Sequence, residues 1–574
     1  MTTESQESTI TLDRPPGPGF WAGIRNRHLE HYPSTGPRIG YLVLVVAITV
    51  MLYYTLYVGG AVSTLLLVEF GMSFKFYVWA LAFGNLAGAF GALAGGVADK
   101  IGRTHLVVYG LLLTSLLTAF VIPAMDAKWP FIIATTLVGV VEGMILVATP
   151  ALIRDFSPQV GRATAMGFWT IGPVLGSLIV GVVGSMTIDE NSQWQSQFRI
   201  CGFVGLVVFV IAFLFLRELS PSIRNQLMVS EQDRALVEAR AQGIDVEAAL
   251  KNPIRQLLTA PIILSSLAVS VLLFSYYTAI AFGTVIYTTI FGFALDQANS
   301  VATWQWGVNV VALIAAGLLS DRLRVRKPFM VVGGLGTALM IVLLLQQFGG
   351  NPSFGTLTTI IALMSAVCAF GYAPWMASFT ETVEAQNPAL IATGLAIWGW
   401  IQRLTVFASF LLVPLVVTAM TPLVNYGAQT AEIATEYQAE LATAAVIEPE
   451  TMAAISADPT DTTAQAAAVG QIVDAQGVSQ EEAVAELTAL GQVPPEAMSF
   501  LAEHGDSVEN AAAEAPGQWQ TWYWVCFGGA IFFVGCVPLL KGRWSPRAAK
   551  RDAEEHTRRV EQELAALEAT SANR

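Results

Sequence analysis

The chain has 574 residues, of which 54% are hydrophobic and only 13% are charged. An average domain carries about 25% charged residues, so this composition excludes an ordinary soluble protein and predicts a membrane protein. The four cysteines all fall within apolar runs, where buried thiols are more common than disulfides or metal ligands. We therefore expect no metal site.

Twelve apolar runs divide the chain. A bilayer core needs about 20 consecutive apolar residues per helix. The predicted spans are residues 41–67, 74–97, 105–125, 129–150, 163–187, 200–216, 261–291, 300–319, 329–348, 356–379, 391–420 and 519–540. The sequence therefore predicts an all-α membrane protein with twelve transmembrane helices.

Lysine and arginine are distributed unequally between the two sides of the membrane. With the N-terminus inside, 26 of the 30 lysines and arginines lie in the inside loops and tails, and only Lys75, Lys128 and Arg199 lie at outer ends of spans. Positive residues in short loops stay on the cytoplasmic side. We predict a multi-pass protein of a bacterial-type inner membrane with both termini in the cytoplasm.

The spans form two sets of six around a charged segment. Traces of a duplication relate the sets, since Asp99 and Asp321 are 222 residues apart and Pro150 and Pro374 are 224 apart. Parallel repeats of this kind occur in membrane transporters. We predict two pseudo-symmetric six-helix bundles. The predicted domains are a cytoplasmic tail (1–36), the N-terminal bundle (37–216), a cytoplasmic linker (217–260), helices 7–11 of the C-terminal bundle (261–420), an insertion (421–518), helix 12 (519–540) and a second cytoplasmic tail (541–574).

Residues 421–518 hold 16 aspartates and glutamates and no lysine or arginine, so the net charge of −13 comes from this insertion. Residues 479–482 fit a capping box for a helix that Gly491 ends, and Pro495 begins another helix that should end near Gly505. We predict a small helical extracytoplasmic insertion. A solvated loop without a binding role is one interpretation, and contact with a cell-envelope partner or with cations is the other.

The loop after the second span reads Gly-Gly-Val-Ala-Asp-Lys-Ile-Gly-Arg over residues 95–103. It resembles the loop signature of the major facilitator superfamily, in which glycines allow a sharp turn and the aspartate pairs with a basic residue or caps a helix. In that family the loop latches the two halves in the outward-facing state. The resemblance implies gating by these residues of the two copies of the loop: Asp99, Lys100, Gly102, Arg103, Asp321 and Arg322. An ordinary positively charged loop is the alternative.

The fifth span contains Gly172, Pro173 and Gly176. They resemble the Gly-Pro-x-x-Gly signature of proton antiporters in the same superfamily, although small residues also serve ordinary helix packing and a proline bends a span. In the fourth span Gly139 stands where the superfamily's drug antiporters carry a basic residue. Their proton-coupling mechanism therefore cannot be transferred directly to this chain.

Two ionisable residues lie deep within predicted spans, Glu142 in the fourth and Arg403 in the eleventh. A charge at mid-membrane costs at least about 2.5–3.5 kcal/mol, so it usually lines a cavity and has a function. In the superfamily, both helices line the central cavity, from opposite halves. In one hypothesis Arg403 binds an anionic group of a solute and Glu142 carries a coupled proton. In a second they form a pair that breaks and re-forms during the cycle, and in a third the pair is static.

Other polar and aromatic residues at similar depths are weaker candidates for the same cavity. These are Tyr53, Tyr54, Tyr57, Tyr276, Tyr277, Gln305, Asn309, Trp398, Trp400 and Gln402. Tyrosine and tryptophan suit an amphipathic solute, although most such residues serve packing or anchor a helix at the membrane interface.

Together these features predict a secondary active transporter of a small organic solute, coupled to protons and working by alternating access, with an organic anion as one candidate. A proton-antiport efflux pump for drugs or metabolites is the alternative, and a transporter-like membrane receptor is an alternative of another class. The histidines lie in tails, loops or span ends, and no nucleotide-binding loop occurs, which argues against a membrane enzyme and an ATP-driven pump. The expected partners are the solute, protons and the bilayer around a monomeric transport unit, with no cofactor and no nucleic acid.

Overall fold

The computed structural model describes residues 27–93, 102–157, 169–189, 193–220, 222–223, 253–384, 386, 390–548, 550–551 and 558. Most of the first tail, of the predicted linker and of the last tail fall outside these residues. The described segments are helical apart from one short parallel pairing, in which β1 (His28–Leu29) lies beside β2 (Glu218–Leu219). The fold is therefore the all-α membrane architecture that the sequence predicts.

Seven helices lie in the described part of the first half. They are α1 (Thr35–Ala61), α2 (Ser63–Glu69), α3 (Phe74–Leu93), α4 (Arg103–Leu116), α5 (Lys128–Phe156), α6 (Gly172–Thr187) and α7 (Trp194–Phe215). After α4 the chain continues through a π turn at Leu117–Val121 and a 3-10 turn at Ile122–Ala124, which contains Pro123.

The second half and the insertion follow in chain order. Their helices are α8 (Pro253–Leu257), α9 (Ala260–Leu272), α10 (Phe274–Thr289), α11 (Leu295–Leu323), α12 (Lys327–Leu345), α13 (Phe354–Glu384), α14 (Ile391–Val416), α15 (Met420–Glu436), α16 (Gln438–Val446), α17 (Pro449–Ala457), α18 (Thr462–Gln476), α19 (Gln480–Leu490) and α20 (Pro495–Cys536).

Ten helical segments of the described residues are long and apolar enough to cross a membrane. The pair α2 and α3, bent by 116° at its break, counts as an eleventh, and the shorter apolar helix α6 occupies the predicted fifth span. Large apolar side chains such as Val43, Ile133 and Val311 are more than half exposed on the outer surface of the helices. A soluble protein rarely leaves so much apolar surface in water, so these side chains face lipid.

Glycines set the distance between α6 and its two neighbours. A Cβ placed on Gly176 would lie 2.5 Å from the Cβ of Tyr53 in α1. On a different face of α6, a Cβ on Gly181 would lie 2.8 Å from the backbone nitrogen of Thr303 in α11. Both distances are too short for a side chain, so α6 packs backbone to backbone against one helix of each half.

The halves meet at the end of the bundle that carries the insertion, which we call the insertion end. Asn299 donates through Nδ2 to the carbonyl oxygen of Ala61 at 3.1 Å, and the backbone N–H of Phe74 donates to Oγ1 of Thr421 at 3.1 Å. The ring of Phe74 also packs edge-on against the Trp519 ring, with centroids 6.2 Å apart. The insertion end is therefore closed by direct contacts between the halves.

The insertion consists of helices joined by short connections and has a small apolar core of its own. This core is formed by Ile447, Ala468, Val469, Ile472, Ala483, Leu490 and Val493. The predicted capping box is present: the backbone N–H of Ser479 donates to Oε2 of Glu482 at 2.9 Å, and the N–H of Glu482 donates back to the Ser479 hydroxyl. The bond from the Ser479 N–H also lowers the pKa of the Glu482 carboxyl.

One sequence-based boundary is wrong. The helix that begins at Pro495 does not end near Gly505 but continues through Pro516 to Cys536 as a single helix of 42 residues. The helix packs against α15 through Tyr426, whose ring stacks on the His504 ring with centroids 3.8 Å apart. The predicted limit between insertion and helix 12, at residue 518, thus lies within one continuous helix.

Gly176→Ala tests the close approach of α6 to α1. We expect the substitution to lower the free energy of unfolding by about 1–3 kcal/mol, because the added methyl overlaps backbone atoms that cannot move aside. The control is Gly535→Ala in α20, where nothing lies within 4 Å of the added carbon. Thermal unfolding of the purified, detergent-solubilised proteins measures both, and equal midpoints for the two variants would contradict the close packing of α6 on α1.

Shortening the insertion tests whether its outer part folds as a separate unit. Residues 437–494 lie between α15 and α20, which pack side by side through the contact of Tyr426 with His504. Replacing 437–494 by a short glycine-serine linker should leave the unfolding midpoint of the membrane bundle unchanged, because the core of the removed part is its own. A bundle that no longer folds after this replacement would show that the insertion supports it.

Candidate functional site

A central cavity of about 540 Å³ lies between the halves. Helices α1, α3, α5 and α6 of the first half and α10, α11, α13 and α14 of the second contribute to its wall. The volume is in the range of sites for small organic ligands, about 300–1,000 Å³. The lining includes both Glu142 and Arg403.

Glu142 is enclosed in the wall of the cavity. Its side chain is 1% exposed, and neither carboxyl oxygen has a hydrogen-bond partner among the described residues. The carboxyl is close to Tyr53 and Tyr57 of α1 and to Cys201 of α7. An ionised carboxylate without partners would be very unfavourable there, so this conformation favours the neutral, protonated group.

Arg403 lies on α14 in the opposite wall and is exposed to the cavity. Among the ion pairs and hydrogen bonds of the described residues, none joins its guanidinium to Glu142 or to another side chain. The pair that the sequence allowed between Glu142 and Arg403 is therefore not formed in this conformation. The cavity offers instead a guanidinium whose donors are free to receive a ligand.

Aromatic side chains supply much of the remaining wall. Of the weaker sequence candidates, the lining includes Tyr53, Tyr57, Tyr276, Tyr277, Asn309, Trp398, Trp400 and Gln402. Tyr54 and Gln305 are instead buried outside it. Tyr372 and Trp169 also line the cavity but were not sequence candidates, because their surroundings in the sequence look like ordinary apolar span.

The loop at 95–103 is described only at its end. Asp99 and Lys100 lie outside the described residues. Gly102 has a φ of 102°, a conformation that favours glycine. Arg103 donates from Nη1 to Oδ2 of Asp155 at 2.8 Å, and its backbone N–H donates to Oε2 of Glu218 at 2.9 Å. Arg103 therefore ties the start of α4 to the end of α5 and to β2.

In the second copy of the loop, Asp321 pairs with an arginine that was not a sequence candidate. Asp321 is paired with Arg326, whose Nη1 lies 2.5 Å from Oδ1 of Asp321. Arg326 also contacts Glu381 at the end of α13, at 3.1 Å. Arg322 is exposed and takes part in none of these ion pairs.

The repeat offset could have found these missed partners. Asp155 and Glu381 end the equivalent helices of the two halves and are 226 residues apart, while Arg103 and Arg326 are 223 apart. Both spacings lie within two residues of 222 or 224, the spacings of the other repeat matches. The repeat of this ion pair was therefore present in the sequence. To find it, the acid at the end of one helix must be compared together with the arginine at the start of another.

The predicted packing residues of the fifth span, by contrast, act through their backbone. A Cβ on Gly172 would lie 2.8 Å from Cγ2 of Thr49 in α1, close to the contact of Gly176 with Tyr53. Pro173 stands in the first turn of α6, where a proline is tolerated because its missing N–H would have no helical partner. Pro173 also lines the cavity, so this face of α6 connects helix packing with the cavity wall.

Comparison with known sequences gives one family and several distant relatives. A sequence model of the Major Facilitator Superfamily matches residues 42–295. The chain is 24% identical over 48% of its length to the probable small intestine urate exporter of Homo sapiens, covering 56% of it. It is 25% identical over 46% of its length to the multidrug resistance protein MdtL of Shewanella oneidensis, covering 62%. It is 23% identical over 56% of its length to the cis,cis-muconate transport protein of Acinetobacter baylyi, covering 74%.

The chain spans little more than half the length of the first of these curated relatives. Its fold is similar to the crystal structure of a bacterial homologue of the human lysosomal transporter Spinster, in an inward-facing and unoccupied conformation. The TM-score is 0.53 at 17% sequence identity, and the match covers 83% of this chain and 99% of the other. At this identity the likeness concerns the fold alone.

Arg326→Gln should loosen the second loop, whereas Arg322→Gln should not. Removing Arg326 leaves Asp321 and Glu381 without the cation that joins α11 to α13. We expect faster amide hydrogen exchange over residues 321–327 and 378–384 in Arg326→Gln, and wild-type exchange in the matched control Arg322→Gln. Exchange measured by mass spectrometry separates the two, and equal effects of the two substitutions would show that the Arg326 contacts do not hold this loop.

Proposed function

From the match of a Major Facilitator Superfamily model to residues 42–295, we propose that the chain is a member of that superfamily. It is a secondary active transporter that carries a small organic anion through the central cavity by alternating access, coupled to protons. The observation that carries this proposal is the pairing of two groups in one cavity. Neither the guanidinium of Arg403 nor the enclosed carboxyl of Glu142 has a partner among the described residues. They come from opposite halves, so any rearrangement of the halves changes both environments.

Arg403 supplies the anion site. Its planar guanidinium can donate two parallel hydrogen bonds to one carboxylate, which fixes both the position and the orientation of the ligand. A guanidinium within a membrane protein is costly when it has no counter-charge. Binding of an anionic solute supplies that charge and so favours the occupied cavity.

Glu142 is the proton carrier. Its neutral carboxyl is compatible with the enclosed site, whereas its ionised form needs water or a cation. When the halves move and water reaches α5, the carboxyl can release its proton on that side of the membrane. Proton uptake and release are thereby linked to the conformational cycle.

The direction in which the cavity faces follows from the charge distribution. We propose that both termini lie in the cytoplasm and that the insertion lies outside, since lysine and arginine concentrate on the side of the termini. The contacts at the insertion end, from Phe74 to Thr421 and from Asn299 to Ala61, then close the outer side. This conformation accordingly faces the cytoplasm, in a bacterial-type inner membrane and with a single chain as the transport unit.

The names of the relatives support an anionic solute. Among those with significant similarity are a probable urate exporter, sialin and a cis,cis-muconate transport protein. The second candidate function is efflux of a drug or metabolite by proton antiport. It is favoured by Gly172, Pro173 and Gly176 in α6 and by the similarity to MdtL.

Substitutions of the two membrane charges test the transport proposal. In proteoliposomes with an imposed pH gradient, we expect Glu142→Gln to lose the dependence of organic-anion flux on the gradient, because the amide cannot carry a proton. Arg403→Gln should lose flux by at least about tenfold, and Arg403→Lys should restore only part of it. Arg199→Gln, an exposed arginine at the insertion end of α7, is the control and should transport as the wild type does.

Two results would count against this assignment. Full proton-dependent flux in both Glu142→Gln and Arg403→Gln would show that neither residue carries the coupling or the solute. A protein that binds an organic anion but never exchanges labelled for unlabelled anion across the bilayer would be a receptor. Flux of a hydrophobic cation against the proton gradient, unaffected by Arg403→Gln, would favour the efflux function instead.

A further inference from the structure

The composition of the cavity wall narrows the chemical class of the ligand further. Aromatic rings from both halves surround one space, and charged groups are few. The tyrosines and tryptophans of the wall include Tyr53, Tyr57, Trp169, Tyr276, Tyr277, Tyr372, Trp398 and Trp400.

Four of the wall tyrosines form two close pairs, one on α1 and one on α10. In α1 the Tyr53 and Tyr57 rings have centroids 5.7 Å apart. In α10 the Tyr276 and Tyr277 rings meet edge-on at 5.3 Å, and the Tyr276 ring packs at 4.9 Å on Trp306. Since α1 and α10 belong to opposite halves, a flat ligand between them would contact rings on both sides.

The rings lie next to the anion site. Tyr53 and Tyr277 are both close enough to Arg403 to interact with its charge. Gln402, the neighbour of Arg403 on α14, donates from Nε2 to the hydroxyl of Tyr277. This hydrogen bond fixes the Tyr277 ring beside the guanidinium, so ring and charge are presented to the cavity together.

The charge balance limits the ligand to one negative group. Of the described residues that line the cavity, Arg403 is the one cation and Glu142 the one acid. A second carboxylate on the ligand would find no second cation among these residues. An anionic group that loses hydration without gaining a partner is unfavourable.

Resting on the proposed function, we propose that the solute is an aromatic monocarboxylate. Its carboxylate binds Arg403, and its ring lies between the tyrosines of α1 and those of α10. Aromatic rings prefer offset-stacked or edge-to-face contacts with centroids about 4.5–7 Å apart, and the tyrosine pairs of the wall already show that spacing. Aliphatic acids of the same size would fill the space without these contacts.

Four matched probes test the proposal on the full-length protein in lipid nanodiscs. They are 2-naphthoate, decahydro-2-naphthoate, naphthalene-2,6-dicarboxylate and 2-naphthamide, with binding measured by isothermal titration calorimetry. We expect 2-naphthoate to bind about fivefold or more tightly than its saturated analogue, in line with the contribution of aromatic contacts. The dicarboxylate and the amide should each bind at least about tenfold more weakly than 2-naphthoate, because one adds an unpaired charge and the other removes the charge that Arg403 binds.

Variants of one ring separate stacking from general packing. Tyr276→Leu should abolish the preference for 2-naphthoate over decahydro-2-naphthoate, and Tyr276→Phe should retain it, because phenylalanine keeps the ring. The control is Tyr32→Leu, an exposed tyrosine outside the cavity, which should keep the wild-type preference.

The outcomes distinguish this inference from the transport proposal. Equal binding of both acids, lost in Arg403→Gln, would overturn the aromatic preference and leave the organic-anion function standing. Tighter binding of the dicarboxylate would overturn the limit to one charge. Failure of every acid to bind, together with organic-anion flux that is unchanged in Arg403→Gln, would overturn the proposed function as well.

Discussion

The two halves are held together through the backbone of α6. Gly172 and Gly176 bring this helix against α1 of its own half, and Gly181 and Gly184 bring it against α11 of the other half. Gly181 follows Gly176 by five residues, about 140° around the helix, so the two contacts use different faces. Relative motion of the halves must change the contact of α6 with α11 and can leave its contact with α1 intact. Helix α6 therefore lies at the interface between the halves.

The ends of the spans on the side of the termini are braced by the same plan in both halves. An arginine at the start of one helix reaches an acid at the end of the next, as Arg103 reaches Asp155 and Arg326 reaches Glu381.

The segment that follows the last span of each half then adds hydrogen bonds to the same region. In the first half, that segment is β2, where Glu218 accepts from the backbone of Arg103 and pairs with the chain before α1. In the second half it is the stretch after α20, where the N–H of Lys541 donates to Thr382 and its carbonyl accepts from Ser378. The duplication thus extends beyond the helices to the way in which each half secures its loops.

Much of this architecture could be predicted because membrane spans are long, apolar and uncharged. The spans, the two halves and the capping box at Ser479 all depend on local composition or on a short pattern. The contacts of Arg326 with Asp321 and Glu381 depend on which side chains meet across helices, and the loop resemblance carried over only Asp321 and Arg322. Tyr372 was missed for the same reason, since only the packing of α13 shows that it faces the cavity.

The limits of α20 were misjudged because Gly505 and Pro516 usually weaken a helix. Tertiary packing outweighs those preferences, because Tyr426 of α15 stacks on His504. The helix propensity of single residues is a weak predictor where a long apolar face packs against another helix.

The length of α20 has a mechanical consequence. At 1.5 Å per residue its 42 residues span about 63 Å, twice the thickness of a hydrocarbon core of about 30 Å. The part before residue 519 is therefore about 36 Å long and is continuous with the last span. A tilt of that span by about 15° would sweep the far tip of this part through about 9 Å. A small rotation of the last span within the bilayer thus moves the acidic subdomain at the tip by a distance that molecules outside the bilayer can encounter.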